Sequence, residues 1–265
     1  MKRKTLTLLV GLVMVFGLAA CGSTPAENDQ PPMTAEEIQK MHADPDSYKG
    51  RELTIYGKLL GAPEKDNDGI YFQMYCDPVN YSQSVIVGYG DPSLALPADC
   101  YVKVTGTVDG KFEAENMLGG TVTGAQIIAT SVEESNYADA VAPTLKSTDV
   151  NQTQEQFGYR VTIQKVEFAE KETRIYLCVT NNGSDKFSLY SFDAKILQNG
   201  TQYSEAMNYD AGYPEIEDEL LVGATTEGVI CFPALEQAPF QLSLEAYSNN
   251  WQETIEPFIF DITVE

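Results

Sequence analysis

Apolar residues recur at every second position over much of this chain, and this alternation constrains the fold more than any other feature. The pattern is clear in residues 53–59, 70–75 and 173–180. Side chains of a β-strand point alternately to the two faces of a sheet, so a period of two indicates strands with one buried face. The sequences Asp68-Gly69 and Asn199-Gly200 favour hairpin turns. The pattern therefore predicts an all-β protein.

The first strand-rich region, from Tyr48 to about Glu134, predicts a small barrel. Five short strands with glycines at predicted bends, Gly57 and Gly106, suit a closed barrel better than a flat sheet. A short helix precedes them, because Thr34 and Glu37 have the spacing of a capping box. We assign residues 34–135 to the helix and a five-stranded barrel.

A second strand-rich region occupies residues 158–265. It contains about seven predicted strands, a number and spacing typical of an antiparallel sandwich. Residues 136–157 are polar, contain Pro143 and lack sustained periodicity, so we interpret them as an interdomain linker. The length of the chain allows two domains of the usual size of ~100 to 150 residues.

Two resemblances extend this assignment. The runs 48–57 and 101–108 resemble the tRNA-anti-like OB-fold domains of bacterial surface proteins, which implies an OB-type barrel and little about its ligand. The runs 175–183, 192–200 and 221–232 resemble immunoglobulin-like domains of unknown function in Gram-positive surface lipoproteins, which are related to the immunoprotective extracellular antigen of mycobacteria. This second resemblance implies an immunoglobulin-like sandwich and a surface location, without catalytic residues to carry over.

The amino terminus predicts export and lipid attachment. Basic residues 2–4, an apolar run 6–18 and a small-residue exit form a signal peptide, residues 1–20. The sequence Leu18-Ala19-Ala20-Cys21 resembles the lipobox of bacterial lipoproteins, which implies a diacylglycerol on Cys21 and further acylation, with palmitate for example, of the new amino terminus. Residues 21–33 are then a flexible tether. We expect a lipid-anchored protein on the outer face of the cell membrane, at a Gram-positive cell surface.

Composition argues against several functions. The formal net charge is −22, whereas a nucleic-acid-binding protein needs clustered Lys and Arg to neutralise phosphates. With one histidine, His42, and no Cys-x-x-Cys pair, a histidine-dependent catalytic site or zinc site lacks its residues. We therefore expect no enzyme, no metal, no cofactor and no nucleic acid.

Four tyrosines form the candidate ligand face: Tyr56, Tyr71, Tyr75 and Tyr101. OB-folds bind oligosaccharides as well as oligonucleotides, and a neutral ligand needs aromatic rings without basic charge. The predicted function is a non-catalytic binding module for a neutral glycan, a peptide or a protein. Ordinary cross-strand packing is the alternative for these tyrosines. For the whole protein, the alternatives are a carboxylate-based hydrolase of cell-surface glycan and a structural spacer or scaffold.

Four cysteines follow Cys21, and two disulfides are possible among them. Cys76 and Cys100 have the same inward phase in the barrel, and Cys178 and Cys231 lie on predicted strands of the sandwich. Free thiols are the alternative for both pairs, since connectivity cannot be deduced from sequence. The acidic residues of the segment 215–219 are interpreted as a solvated charge run, with weak calcium binding as the alternative.

Overall fold

The computed structural model describes residues 30–115 and 121–264. The predicted signal peptide, Cys21 and residues 21–29 of the predicted tether lie outside the described residues. The chain divides into two compact units, Met1–Asn136 and Tyr137–Glu265. In the part that the structure describes, no helix combines the length and apolar character needed to cross a membrane.

In the described part of the first unit, a helix is followed by six strands. The Thr34 hydroxyl accepts a hydrogen bond from the backbone N–H of Glu37, and the Glu37 carboxylate accepts one from the backbone N–H of Thr34. This capping box confirms the predicted helix start. The elements are α1 (Ala35–Ala43), β1 (Glu52–Leu59), β2 (Glu64–Lys65), β3 (Ile70–Asp77), β4 (Ser82–Tyr89), β5 (Tyr101–Glu115) and β6 (Thr121–Ser135), with a 3-10 turn at Pro45–Tyr48.

Five of these strands close into a barrel. Hydrogen-bonded ladders join β1, β5, β6, β4 and β3 in that order, and β3 pairs again with β1. The ladder between β4 and β6 is parallel, and the others in the ring are antiparallel. A closed five-stranded ring preceded by a short helix confirms the predicted OB-type barrel.

The apolar side chains of the alternating sequence fill the interior of this barrel. Its buried core includes Leu53, Ile55, Ile70, Phe72, Met74, Val85, Val87, Val102, Val104 and Ile127. Gly57 lies where two strands come close, since a Cβ there would be 2.6 Å from the carbonyl oxygen of Tyr75. Gly106 lies at a shift in the β5–β6 register. Both glycines therefore serve close backbone approach, as the predicted bends require.

The second unit contains a short helix and eleven strands, all in antiparallel ladders. They are α2 (Tyr137–Ala140), β7 (Thr144–Gln156), β8 (Tyr159–Ala169), β9 (Glu172–Asn181), β10 (Phe187–Leu189), β11 (Lys195–Gln198), β12 (Thr201–Ser204), β13 (Glu219–Leu220), β14 (Thr225–Pro233), β15 (Phe240–Leu244), β16 (Ala246–Ser248) and β17 (Phe258–Ile262). The Asn199-Gly200 turn has φ angles of 51° and 77°, as the predicted hairpin requires.

These strands form a sandwich around one core. One sheet has the order β14, β9, β8, β7 and another the order β12, β11, β15, β17, with a smaller sheet of β13, β10 and β16. Ile175 and Leu177 of the first sheet belong to the same buried core as Leu242 and Phe260 of the second. The packing of two antiparallel sheets on a shared core confirms the predicted immunoglobulin-like sandwich and the all-β fold.

The prediction that residues 136–157 form an interdomain linker is wrong. Most of this segment is β7, which pairs with β8 along its length and belongs to the second unit. β7 lies at the edge of its sheet, and Thr148 is its one buried residue, so it shows no apolar alternation. Its pairing is also interrupted near Asn151, which has a positive φ of 49°. The second unit thus begins at Tyr137 rather than at residue 158.

Candidate functional site

Three of the four predicted tyrosines lie together on the outer side of the barrel. Tyr56, Tyr75 and Tyr101 are partly exposed, while apolar neighbours along their strands are buried. Tyr71 lies four residues from Tyr75 on β3, about 13 Å away at the rise of a strand. Its ring covers Gly88 of the neighbouring strand, where a Cβ would be 3.4 Å from the ring. The structure therefore separates Tyr71 from the other three.

The strand register sets two lysines between these tyrosines. Lys58 on β1 lies opposite Tyr75 on β3 and also opposite Tyr101 on β5. Lys103 on β5 lies opposite Tyr56 on β1. The Nζ of Lys58 is 5.4 Å from the centroid of the Tyr101 ring, which is a cation–π distance.

A fifth tyrosine extends the row. Tyr81, in the turn between β3 and β4, is 74% exposed, and its ring meets that of Tyr75 edge-on with centroids 5.9 Å apart. Sequence reasoning missed it, because a turn residue carries no alternation signal. We call the resulting surface the tyrosine–lysine face: Tyr56, Lys58, Tyr75, Tyr81, Tyr101 and Lys103.

The two lysines of this face form no ion pair with any described residue. The other described lysines of the barrel unit have a carboxylate or a backbone carbonyl as partner: Lys40, Lys49, Lys65 and Lys111. Glu133 lies opposite Lys103 in the β5–β6 ladder but does not pair with it. In a chain of net charge −22, this face is a local reversal of charge.

The sandwich contains a cavity of about 440 Å³, a size typical of small-ligand sites. Its walls include Glu205, the acidic segment 215–219 and the aromatic residues Phe192, Tyr209 and Tyr213. The carboxylates of the segment are exposed, as the sequence predicts for a solvated charge run. Sequence reasoning missed the cavity, because the segments that form it are far apart along the chain.

Glu205 is the unusual carboxyl group of this cavity. Burial raises its pKa, and the charges of Asp218 and Glu215 raise it further, against a hydrogen bond with Ser191 and the charge of Lys195. Its Oε2 is buried and has no hydrogen-bond partner among the described residues. An unsatisfied buried carboxylate oxygen is costly, so the fold makes ionisation of Glu205 less favourable than it is in water.

A buried ionic network lies in the same unit. Arg174 on β9 is fully buried, and its Nε donates to Glu167 at 3.1 Å while its Nη1 donates to Glu172 at 2.9 Å. It also donates to the carbonyl of Ala142 at 2.8 Å and to the hydroxyl of Thr144 at 2.6 Å. Because the charge is paired and hydrogen-bonded on several sides, this arginine has a structural explanation.

The carboxylates of this network are held by further donors. The hydroxyl of Tyr213 donates to Glu172 at 2.6 Å, and that of Tyr176 donates to Glu167 at 2.8 Å. Burial opposes ionisation of Glu167, but hydrogen bonds from Lys165 and Tyr176 and the charges of Lys165 and Arg174 outweigh it, so its pKa is lower than usual.

The four cysteines of the two possible disulfides are free thiols in the structure. On neighbouring strands, Cys178 lies opposite Glu227 and Cys231 lies opposite Arg174. The two cysteines are thus about four residues, or 13 Å, apart along the ladder, whereas a disulfide needs Cα atoms within ~7 Å. This separation excludes a Cys178–Cys231 disulfide and leaves the free-thiol alternative.

Cys76 and Cys100 are separated in the barrel. Cys76 is on β3, while the carbonyl of Cys100 accepts a hydrogen bond from Leu59 of β1 at 2.9 Å. Because β1 lies between them, their separation is about two strand spacings, roughly 9 to 10 Å, which is also too far for a disulfide. Burial raises the pKa of Cys76 and of Cys231 to about 12, so both thiols stay protonated and unreactive at neutral pH.

Comparison with known proteins assigns no family. No protein-family model and no curated protein matches this chain. Among solved structures, the chain is similar to a functionally unknown protein from Listeria monocytogenes EGD-e, with 8% identity and a TM-score of 0.38 over 49% of this chain and 94% of that chain. A similarity of this size supports no conclusion about function.

Residues 30–115 and 121–264 contain no group of three His, Cys, Asp or Glu side chains that could hold a metal ion.

Proposed function

We propose that this protein is a lipid-anchored surface protein that binds a glycan, without converting it, through the tyrosine–lysine face. The anchor rests on the lipobox-like sequence that ends at Cys21 and follows an export signal. Two or more acyl chains give stable anchoring where one chain does not. The resemblance of the first unit to domains of bacterial surface proteins, and of the second to domains of Gram-positive surface lipoproteins, supports a surface location.

The row of Tyr81, Tyr75, Lys58 and Tyr101 is the observation that carries the binding proposal. Neighbouring aromatic rings offer flat apolar surfaces with polar hydroxyl tips, which suit a sugar ring bearing its own hydroxyl groups. Peptides commonly bind by adding a strand to a free sheet edge, but ladders close the barrel into a ring. These features favour a glycan over a peptide.

Retention of cell-envelope polysaccharide fragments by the full-length protein in mild detergent tests this proposal. Tyr101→Ala should weaken retention about ten-fold or more, as expected for an aromatic residue at the centre of a binding surface. Tyr71→Ala is the matched control, because it removes the same side chain about 13 Å from Tyr75 and should leave retention unchanged. Equal losses in both variants, or no loss in Tyr101→Ala, would contradict the assignment of the face.

Membrane fractionation tests the anchor separately. Cys21→Ala removes the acceptor thiol, so the variant should leave the membrane fraction if lipid is its attachment. A variant that stays membrane-bound would overturn the anchor while leaving glycan binding open to its own test.

A carboxylate-based glycoside hydrolase is the second candidate, favoured by the sandwich cavity. Such enzymes need one protonated and one ionised carboxyl group, and Glu205 has a raised pKa beside Asp218 and Glu215. Release of reducing sugar by the wild type but not by Glu205→Gln would support hydrolysis. Equal rates in the two proteins, or no release by either, would remove this candidate.

A further inference from the structure

We infer that the tyrosine–lysine face selects an acidic glycan, a sugar chain that carries carboxylate groups, rather than a neutral one. This inference rests on the proposed glycan binding and deepens it. It is drawn from the positions of Lys58 and Lys103, because a face of tyrosines alone would suit the neutral ligand that the sequence predicts.

The two lysines are placed to meet two charges on one bound chain. Across the β1–β5 ladder, Lys58 is paired with Tyr101 and Tyr56 is paired with Lys103. The lysines therefore occupy one diagonal of this square and the tyrosines the other, with diagonal neighbours on a sheet about 7 to 8 Å apart. A chain that lies on this square meets aromatic rings and ammonium groups side by side.

The negative charge of the rest of the protein increases the preference of an acidic glycan for this face. With a net charge of −22, most of the surface repels an anionic chain, so an acidic glycan is attracted where cations are unpaired. Lys58 and Lys103 are the unpaired lysines among those described in the barrel unit. Glu133, opposite Lys103, reduces the local positive charge without removing it.

The tyrosine rings further restrict which kinds of anionic ligand suit this face. Inorganic polyphosphate has charge but no ring that could stack on Tyr75 or Tyr101. Single-stranded nucleic acid has rings, but it needs a continuous positive path for its backbone, and this face supplies two lysines in an acidic protein. A sugar chain with carboxylates uses both features of the face.

Calorimetric titration of the full-length protein in mild detergent tests the inference. The probes are galacturonate oligomers, alginate fragments and hyaluronan fragments, with methyl-esterified galacturonate oligomers as the uncharged match. At least one acidic probe should bind, and the galacturonate series, if bound, should be about ten-fold tighter than its ester. Lys58→Gln and Lys103→Gln should each weaken binding two- to five-fold, as expected for an exposed ion pair, and added salt should weaken it too.

Two further variants serve as matched controls. Lys171→Gln removes an exposed lysine of the sandwich and should leave affinity unchanged. Glu133→Gln should strengthen binding about two-fold, because it removes the carboxylate opposite Lys103.

The outcomes separate this inference from the proposed function. Equal affinity for a bound oligomer and its ester, binding of none of the acidic probes, or no loss in either lysine variant would overturn the acidic ligand, while retention of neutral polysaccharide would still support glycan binding. Equal affinity for an oligothymidylate of the same charge would also overturn it, in favour of general anion attraction. Loss of the acidic preference together with a Tyr101→Ala variant that binds normally would overturn the face itself.

Discussion

Arg174 in the sandwich and the lysines Lys58 and Lys103 on the barrel differ in both burial and pairing. In the sandwich, Arg174 is fully buried and paired with Glu167 and Glu172. In the barrel, Lys58 and Lys103 are partly exposed between tyrosines and form no ion pair with a described residue. A buried charge must be paired for the fold to tolerate it, whereas an unpaired surface charge is available to a ligand. The comparison therefore gives Arg174 a role in stability and leaves the two lysines available for the proposed recognition of a glycan.

Arg174→Met should have the largest effect on stability. It leaves Glu167 and Glu172 without their common partner, and breaking a buried ion pair in this way costs about 3 to 5 kcal/mol. Denaturant unfolding of the full-length protein measures the loss. Arg160→Met is the matched control, because its partner Glu155 is exposed and such pairs contribute less than about 1 kcal/mol. Equal losses in the two variants would break the distinction between buried and surface charges.

Gly57→Ala should destabilise the barrel by about 1 to 3 kcal/mol, the usual cost of overpacking. The added methyl group would lie 2.6 Å from the carbonyl oxygen of Tyr75, so β1 and β3 must move apart beside the tyrosine–lysine face. Thermal or denaturant unfolding measures the change, and glycan retention should fall with it. Gly90→Ala is the control, since nothing lies within 4 Å of a Cβ at that position. A neutral result for Gly57→Ala would mean that the face tolerates movement of its strands.

A fall in pH should lower the stability of the sandwich, because Glu167 becomes protonated. Its pKa is lower in the folded protein than its ordinary value of 4.5, so its contribution to stability is present above that pH and is lost as the pH falls through the folded pKa. Denaturant midpoints measured from pH 6 down to pH 3 should therefore fall, and Glu167→Gln should flatten this part of the profile. An unchanged slope in the variant would show that Glu167 is not held as an ionised partner of Arg174.

Glu205→Gln should have the smallest effect on stability, and unlike the other variants it should increase stability at neutral pH. The pKa of Glu205 is raised in the fold, so its ionised form opposes folding at neutral pH and protonation on acidification relieves the cost. The variant should be slightly more stable than the wild type at pH 7 and should lose this advantage near pH 4. An advantage that is the same at both pH values would mean that the effect is not electrostatic.

The sequence predicted the strands better than the contacts between them. Alternation in residues 53–59 and 173–180 indicated strands and buried faces, because that signal is local to each strand. The pairing of Lys58 with Tyr101 depends on the register between distant strands, which no local pattern encodes. The sequence therefore suggested tyrosines on the face without showing which lysines lie between them.

The errors have related causes. β7 was predicted to be a linker, because an exposed edge strand does not need apolar alternation. The two possible disulfides were suggested by strand phase for Cys76 and Cys100 and by neighbouring strands for Cys178 and Cys231, whereas an intervening strand and the register keep the pairs apart. The Arg174 network joins residues from 142 to 213, so composition gives no sign of it.

Fluorine NMR of the full-length protein labelled with 3-fluorotyrosine tests the central claim most directly, because both candidate sites contain tyrosines. Signals are assigned by single Tyr→Phe variants, and glycan fragments retained by the protein are then added. We expect shifts at Tyr75, Tyr81 and Tyr101, with Tyr209 and Tyr213 of the sandwich cavity unchanged. Shifts confined to Tyr209 and Tyr213 would contradict the account and move the binding site to the cavity.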